Sequence, residues 1–387
     1  MQIHKPVDDN SDCPAEEAHF YGGQAVIEGV MMRGLDRYAV AVRREDGEIV
    51  YGQRDVAHPA KRPNWLKWPL VRGNVGLVES IALGFGALQF SADVLAQEEK
   101  ERLIAEERAQ QAADTEQAPS PEPSEGADPV EPEQVGGLGP WLMGLTTVLA
   151  SVLAIGLFVL LPTWVVDWFM GKGGDTGQYW DSVLRNVVEG GLRLAVLVLY
   201  ILAISRMQYV RRVFQYHGAE HATINCFEAG DPVTQENCLK HSPLHPRCGT
   251  AFLLVVILVK IILGCFFGWP VLWLRMLIRL ALLPLVAGIG YEVIRWAGRH
   301  RDSALSRALA TPGMLMQVLT TRKPDAGQVQ VAIYSLALLA PEVALPAGWL
   351  RPRQLPIPLH AKQTPEEAPE QPAAAEQDAA ETQGTPD

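Results

Sequence analysis

A multi-pass α-helical membrane protein with a small cytoplasmic α+β portion is the predicted fold class, and three observations predict it. About four apolar stretches long enough to cross a bilayer lie between Trp141 and Ile289. Arg and Lys gather at one end of these stretches. Short runs with strand-like alternation lie outside them, in both flanks. Averages hide this pattern. The chain of 387 residues is 48% hydrophobic and 20% charged with a mean hydropathy of +0.05, as in an ordinary soluble protein, because acidic stretches offset the apolar runs.

The net charge of -11 argues against a nucleic-acid partner, although Asp and Glu are concentrated in low-complexity sequence and not on a folded face. Cys13, Cys226, Cys238, Cys248 and Cys265 are odd in number, and three of them lie among histidines in a segment expected in the cytoplasm, so no disulfide framework is expected. The amino terminus has neither a basic nor an apolar leader region, so membrane insertion is expected to use internal helices.

Residues 1–19 are expected to be disordered, and residues 20–96 to form a cytoplasmic β-rich segment followed by an interfacial or core helix. The strand runs are GGQAVIEGVMM, YAVAVRR and EIVYGQRDV, the last two joined by a hairpin at Asp46-Gly47. Pro69 to Ala92 is apolar but interrupted by Arg72, Asn74 and Glu79, which is too broken to span. Residues 97–137 read as a helical stem passing into an acidic Pro/Glu/Ala linker.

Residues 138–296 carry the membrane region. Trp141 to Trp168, Val183 to Ile204, Thr250 to Phe267 and Val271 to Ile289 are the four predicted crossings, paired as helical hairpins by short Gly- and Pro-containing breaks. Arg206, Arg211 and Arg212 follow the second crossing, and Arg295, Arg299 and Arg301 follow the fourth. The positive-inside rule places both clusters, the loop 206–249 and both termini in the cytoplasm of a bacterial inner-membrane protein. In the cytoplasmic segment 297–345, Pro312 to Leu319 reads as a short helix and Gln328 to Ile333 as a strand joining the amino-terminal sheet. The acidic tail 346–387 is expected to be disordered.

The chemistry is densest in loop 206–249. On a helix over Gln215 to Phe227, His217 and His221 stand one turn apart on one face with Glu220 beside them. This H-x-x-E-H order is that of inverted zincins, in which the two histidines bind metal and the Glu acts as general base. Five letters alone are weak evidence, and the bland alternative is an amphipathic juxtamembrane helix. Glu228, His245, Arg247 and Cys248 lie nearby in sequence, and Glu292 returns to the same membrane face; His245, Cys248 or Glu292 would complete the shell of a divalent metal such as zinc.

Five blocks occur in order: Gly22 to Gly34, Tyr216 to Glu228, His245 to Phe252, Leu283 to Arg295 and Met314 to Ile333. In them the chain resembles the domain of unknown function 1385 family of YqhQ-like membrane proteins, over roughly Phe20 to Leu339 less the acidic linker. The resemblance implies a membrane fold and a metal-dependent enzyme, with no reaction attached. Ala222 and Gln330 depart from the family pattern, standing where a Lys and an acidic residue are usual.

Glu28 and Arg33, in a glycine-flanked strand, are candidates for ligand contact or for simple ion pairing. Thr320, Thr321 and Asp325 read more safely as a loop. Within the membrane, Glu189 and Arg193 are spaced to pair, whereas Lys260, Arg275 and Arg279 leave a basic excess; Arg193 and Arg295 join the candidate site residues. The expectation is a metal-dependent hydrolase at the cytoplasmic membrane face. Its rival is a non-enzymatic protein, either a transporter or binder of an anionic solute or lipid, or an assembly factor. Membrane lipid and a substrate are the expected partners, with a homo-oligomer or a protein partner left open.

Overall fold

Alternate residues of a strand face opposite sides, so a strand apolar on both sides must be covered on both. Arg37–Arg43 (β3), with Tyr38 to Val42 all buried, is such a strand. It lies at the centre of a sheet formed in order by Gly22–Val26 (β1), Gly29–Arg33 (β2), β3, Ile49–Asp55 (β4) and Arg353–Gln354 (β5). The first four strands are antiparallel, and β5 runs parallel to β4. The computed structural model describes residues 21–58, 62–117, 140–171, 179–246, 248–300, 303–346, 349 and 352–356. The amino-terminal residues 1–19, residues 118–137 of the expected linker, Arg247 and the tail beyond 356 lie outside the described residues.

The expected Asp46-Gly47 hairpin is present, with Gly47 at φ +87°. GGQAVIEGVMM, by contrast, is not one strand. It folds back between Val26 and Gly29, where Glu28 takes φ +52°, and Gly29 lies so close to Ala41 O that a Cβ would meet it at 2.4 Å.

Ten helices follow among the described residues: Val71–Gln117 (α1), Pro140–Ile155 (α2), Leu161–Met170 (α3), Tyr179–Ile204 (α4), Gln208–Glu228 (α5), Gln235–Cys238 (α6), Gly249–Cys265 (α7), Leu272–Arg299 (α8), Ala304–Thr320 (α9) and Ala326–Ala337 (α10). A π-turn over Gly156–Leu160 joins α2 to α3 without a break in the span. One face of the sheet, with Met31, Val40 and Val42, packs on Ala87, Phe90 and Val94 of α1. The other face, with Val30, Met32 and Ala41, packs on Tyr216 and Ala219 of α5 and on Val329, Ile333 and Leu336 of α10.

Among the described residues four helices are long and apolar enough to cross a membrane: Val71–Gln110, Leu145–Met170, Tyr179–Ile204 and Leu272–Ala297. The number matches the expectation, but one member differs. Predicted crossing Thr250 to Phe267 becomes α7, a 17-residue helix that falls just short, and α1 takes the fourth place. The polar residues that broke the run in α1 are neutralised by pairing: Arg72 with Glu292 at 2.5 Å, and Glu79 with Arg33 and Arg62, both at 2.7 Å. Its Gly73 packs directly on Tyr291 of α8, where a Cβ would lie 2.6 Å from the Tyr291 Cβ.

Gln328 to Ile333 is helix, not strand. The Val-rich alternation mimics a strand because α10 is buried on nearly every side, so its helical period is masked. What decides the local structure is a capping box: Asp325 accepts from the Gln328 N–H at 2.8 Å while the Gln328 side chain accepts from the Asp325 N–H at 2.9 Å. The carboxyl-terminal flank still joins the amino-terminal sheet, but through β5. Asp325→Ala should therefore lower stability by about 1 kcal/mol, seen as a fall in the thermal midpoint of the detergent-solubilised protein, whereas Asp325→Ser should retain most of it.

Candidate metal centre

Helix α5 carries the H-x-x-E-H sequence, and its helical pitch sets His217 above His221, ring centroids 4.4 Å apart. Gly218 between them is required by packing. A Cβ there would lie 2.0 Å from the Arg322 carbonyl oxygen, so only glycine lets the chain after α9 run against this turn. The Arg322 N–H in turn donates to the Phe214 carbonyl at 2.9 Å.

Each imidazole is then fixed by a backbone carbonyl. His217 Nδ1 lies 2.9 Å from Thr320 O and His221 Nδ1 lies 2.7 Å from Pro243 O. A carbonyl only accepts, so both rings carry their proton on Nδ1, and both Nε2 lone pairs are left to face inward. They face Cys248, the residue that precedes α7. Its Sγ is 3.2 Å from His217 Nε2, and one donor atom each from His217, His221 and Cys248 lie within 4.8 Å of one another. Outer hydrogen bonds that fix the tautomer and turn the free nitrogens to a common point are the arrangement around metal-ligating histidines.

Glu220 stands beside the cluster at 3% exposure, its Oε2 4.0 Å from His221 Nε2. The Gly23 N–H of β1 donates to its carboxylate, and Oε2 has no hydrogen-bond partner among the described residues. Burial pushes the Glu220 carboxyl up from its ordinary value, and the nearby His217 and His245 partly oppose the rise. Burial also pushes His221 down, which favours the neutral ring. The donor set therefore fits a divalent cation of zinc type: two Nδ1-anchored imidazoles and a thiol converge, and a carboxylate with an unsatisfied oxygen stands within reach.

The remaining sequence candidates divide. His245 is buried and its ring lies 5.7 Å from that of His221, but its Nε2 is 3.7 Å from Glu228 Oε2. Gln317 of α9 clamps its backbone from both sides, accepting from the His245 N–H at 2.9 Å and donating to its carbonyl at 2.8 Å. His245 and Glu228 thus form a pair flanking the cluster. Glu292 is not brought to it: its carboxylate is held by Arg72 where α1 crosses α8, in the neighbourhood of Arg295. Glu28 is paired with Arg212 and accepts from the Tyr216 hydroxyl at 3.2 Å. Arg33 lines the cleft over the cluster, held by Glu79, and Arg193 lies in the membrane region. Thr321 and Asp325 cap helices, in keeping with the loop reading, while Thr320 contributes its carbonyl.

Sequence reasoning missed the two carbonyl acceptors, Thr320 and Pro243, and the Gln317 clamp, because backbone groups leave no trace in residue identity. Gly23 and Gly218 were the available signals, since a Cβ on Gly23 would meet Met31 O at 2.4 Å and Glu220 Oε1 at 3.0 Å. A cleft of about 710 Å³, lined by Gln24, Met31, Arg33 and Leu83 among others, opens onto Glu220 and the cluster.

The thiols differ in exposure. Cys226 and Cys238 are buried, and burial pushes both up, whereas Cys248 is partly open to the cleft. Iodoacetamide should therefore alkylate Cys248 before Cys226 and Cys238, and added zinc should slow the Cys248 reaction alone; peptide mass mapping reads both outcomes.

Comparison with known proteins agrees with four of the five blocks that carry the resemblance, the block Gly22 to Gly34 lying ahead of the family match. The family model described as "Protein of unknown function (DUF1385)" matches residues 68–342. The "Uncharacterized protein YqhQ" of Bacillus subtilis is 33% identical over 317 residues, covering 81% of this chain and 90% of that protein. No solved structure matches. Neither description mentions a metal or a reaction, so the enzymatic expectation draws no support from them. What the matched residues and the aligned length do establish is that the chain belongs to the DUF1385 family of membrane proteins.

Proposed function

We propose that this protein is a metal-dependent membrane enzyme, hydrolytic in type, whose site lies at the cytoplasmic face of a bacterial inner membrane. The observation that carries the reading is the pair of Nδ1-anchored imidazoles aimed at Cys248, with the partnerless Glu220 oxygen beside them. His217, His221 and Cys248 would hold the ion, and His245 stands as a neighbouring donor once released from Glu228. A zinc ion in that position would supply Lewis acidity.

The chain's own residues account for the rest. Glu220 accepts a proton from an attacking water through its free Oε2, while the Gly23 N–H holds the carboxylate in place. Burial raises its affinity for a proton, which suits a general base. Gln317, by clamping the His245 backbone, keeps the loop before α7 and hence Cys248 against α5. Arg33 gives the cleft one cationic wall for orienting a polar substrate. The positive cluster directly after α4, Arg206, Arg211 and Arg212, supports a cytoplasmic placement of α5.

Elemental analysis of the purified full-length protein should find about one zinc-type ion per chain, lost in the His217→Ala/His221→Ala variant. Glu220→Gln should keep the ion but lower hydrolytic turnover on the order of 10²–10⁴-fold. Wild-type protein without stoichiometric metal would sink the reading. For topology, a membrane-impermeant maleimide should label Tyr209→Cys in cells only after permeabilisation, and labelling of intact cells would place this loop on the other side.

A further inference from the structure

A second constellation lies inside the membrane region, well away from the histidines. Glu189 of α4 is its hub: it is 1% exposed, and its carboxylate accepts from Arg193, from Arg279 of α8 and from Thr163 of α3. Arg275 stands apart from this hub. It is matched by Asp167 at 2.8 Å, lies 3.9 Å over the Trp269 ring, and shares Asp167 with the Trp269 N–H. Lys260 of α7 completes the group, within electrostatic reach of Glu189, Arg193 and Arg279, and hydrogen-bonds none of the described residues. Three cations thus face one carboxylate, a formal excess of two positive charges in a low-dielectric setting. Such an excess is costly unless an anion answers it.

The space for that anion is present. A cavity of about 320 Å³ is bounded by α4, α7 and α8, with Arg193, Lys260 and Arg279 on its wall. That volume holds a headgroup and the start of a chain. Its two ends differ in chemistry. Asn186, Gly268 and Pro270 line the end nearest the turn between α7 and α8, where Lys260 is five residues from the last residue of α7 and Arg279 seven from the first of α8. Leu253, Leu282 and Val286 line the other end, about 5 to 10 Å deeper along their helices. Toward the helix turn the lining carries Asn186 and Arg275 among Phe267 and Pro270, whereas toward the middle of the bundle it is aliphatic, which is the polarity of one leaflet.

We propose that this cavity binds an anionic amphiphile by an oxyanion head of the phosphate-monoester class, with Lys260 as the cation that meets it and the apolar wall receiving the start of its chain. A phosphate monoester approaches the two negative charges the site lacks, and Arg193 and Arg279 present further donors to a tetrahedral oxyanion. This site is independent of the metal reading. Glu189 is not its ligand, since both carboxylate oxygens are already occupied by Arg193, Arg279 and Thr163; Glu189 is a positioning residue that holds the two arginines at the cavity wall.

The test uses full-length protein in phosphatidylcholine nanodiscs doped with phosphatidic acid, with retained lipid read by native mass spectrometry. Wild type should enrich phosphatidic acid over phosphatidylcholine by about tenfold or more, Lys260→Met should abolish that enrichment, and Lys260→Arg should restore it. Inorganic phosphate at millimolar concentration forms the second arm: displacement assigns recognition to the oxyanion alone and its absence to the whole amphiphile, and either result supports a phosphate site. Lack of enrichment by wild type, or undiminished enrichment by a Lys260→Met protein with wild-type thermal midpoint, overturns the proposal. Metal content should be the same in Lys260→Met and wild type, so failure here is separable from failure of the metal centre.

Discussion

A sheet apolar on both faces has to be covered twice, and in this chain both covers come from helices tied to the membrane region. Helix α1 covers one face through Ala87, Phe90 and Val94, then meets α8 through Gly73 and Tyr291. Helix α5 covers the other face and follows directly on α4. The soluble core and the membrane helices are therefore one packing problem. Removing the sheet would expose the buried side of α5, including Tyr216 and Ala219, and with it the helix that carries the histidines.

That dependence explains why the candidate centre is built from distant parts. Helix α5 supplies His217, Glu220 and His221, and β1 supplies the N–H that holds Glu220. The segment before α7 supplies Cys248 and the Pro243 carbonyl, and the end of α9 supplies the Thr320 carbonyl and the Gln317 clamp. Glycines at positions 23 and 218 permit the close approaches, because any side chain there would strike backbone oxygen. The buried carboxylate of Glu220, with one oxygen unsatisfied, is a local cost that the surrounding core sustains.

The membrane region follows a different logic. Most of its buried cations meet a carboxylate, Arg185 meeting Asp181, Arg275 meeting Asp167, and Arg193 and Arg279 sharing Glu189, so the helices that carry them still pack together. Glycines again set the distance: at Gly190 a Cβ would lie 2.3 Å from Ile261, bringing α4 and α7 together next to the Glu189 hub. Lys260 is the exception to the pairing, and it faces the cavity beside Arg193 and Arg279.

Hydropathy, turn chemistry and motif spacing by themselves determined the membrane class, the Asp46-Gly47 hairpin and the helix bearing H-x-x-E-H, since each is a local property of consecutive residues. Only the tertiary structure decided which helices are the long ones, because the breaks in α1 matter little once Arg72 and Glu79 find partners far away in sequence. It also decided that Val329 to Ile333 is helical, since an element buried all round shows no helical period, although the capping box at Asp325 and Gln328 was legible beforehand. The same holds for the site. Spacing brought His217 and His221 together, but Cys248 joined them and Glu292 did not, because long-range packing places one beside α5 and commits the other to Arg72.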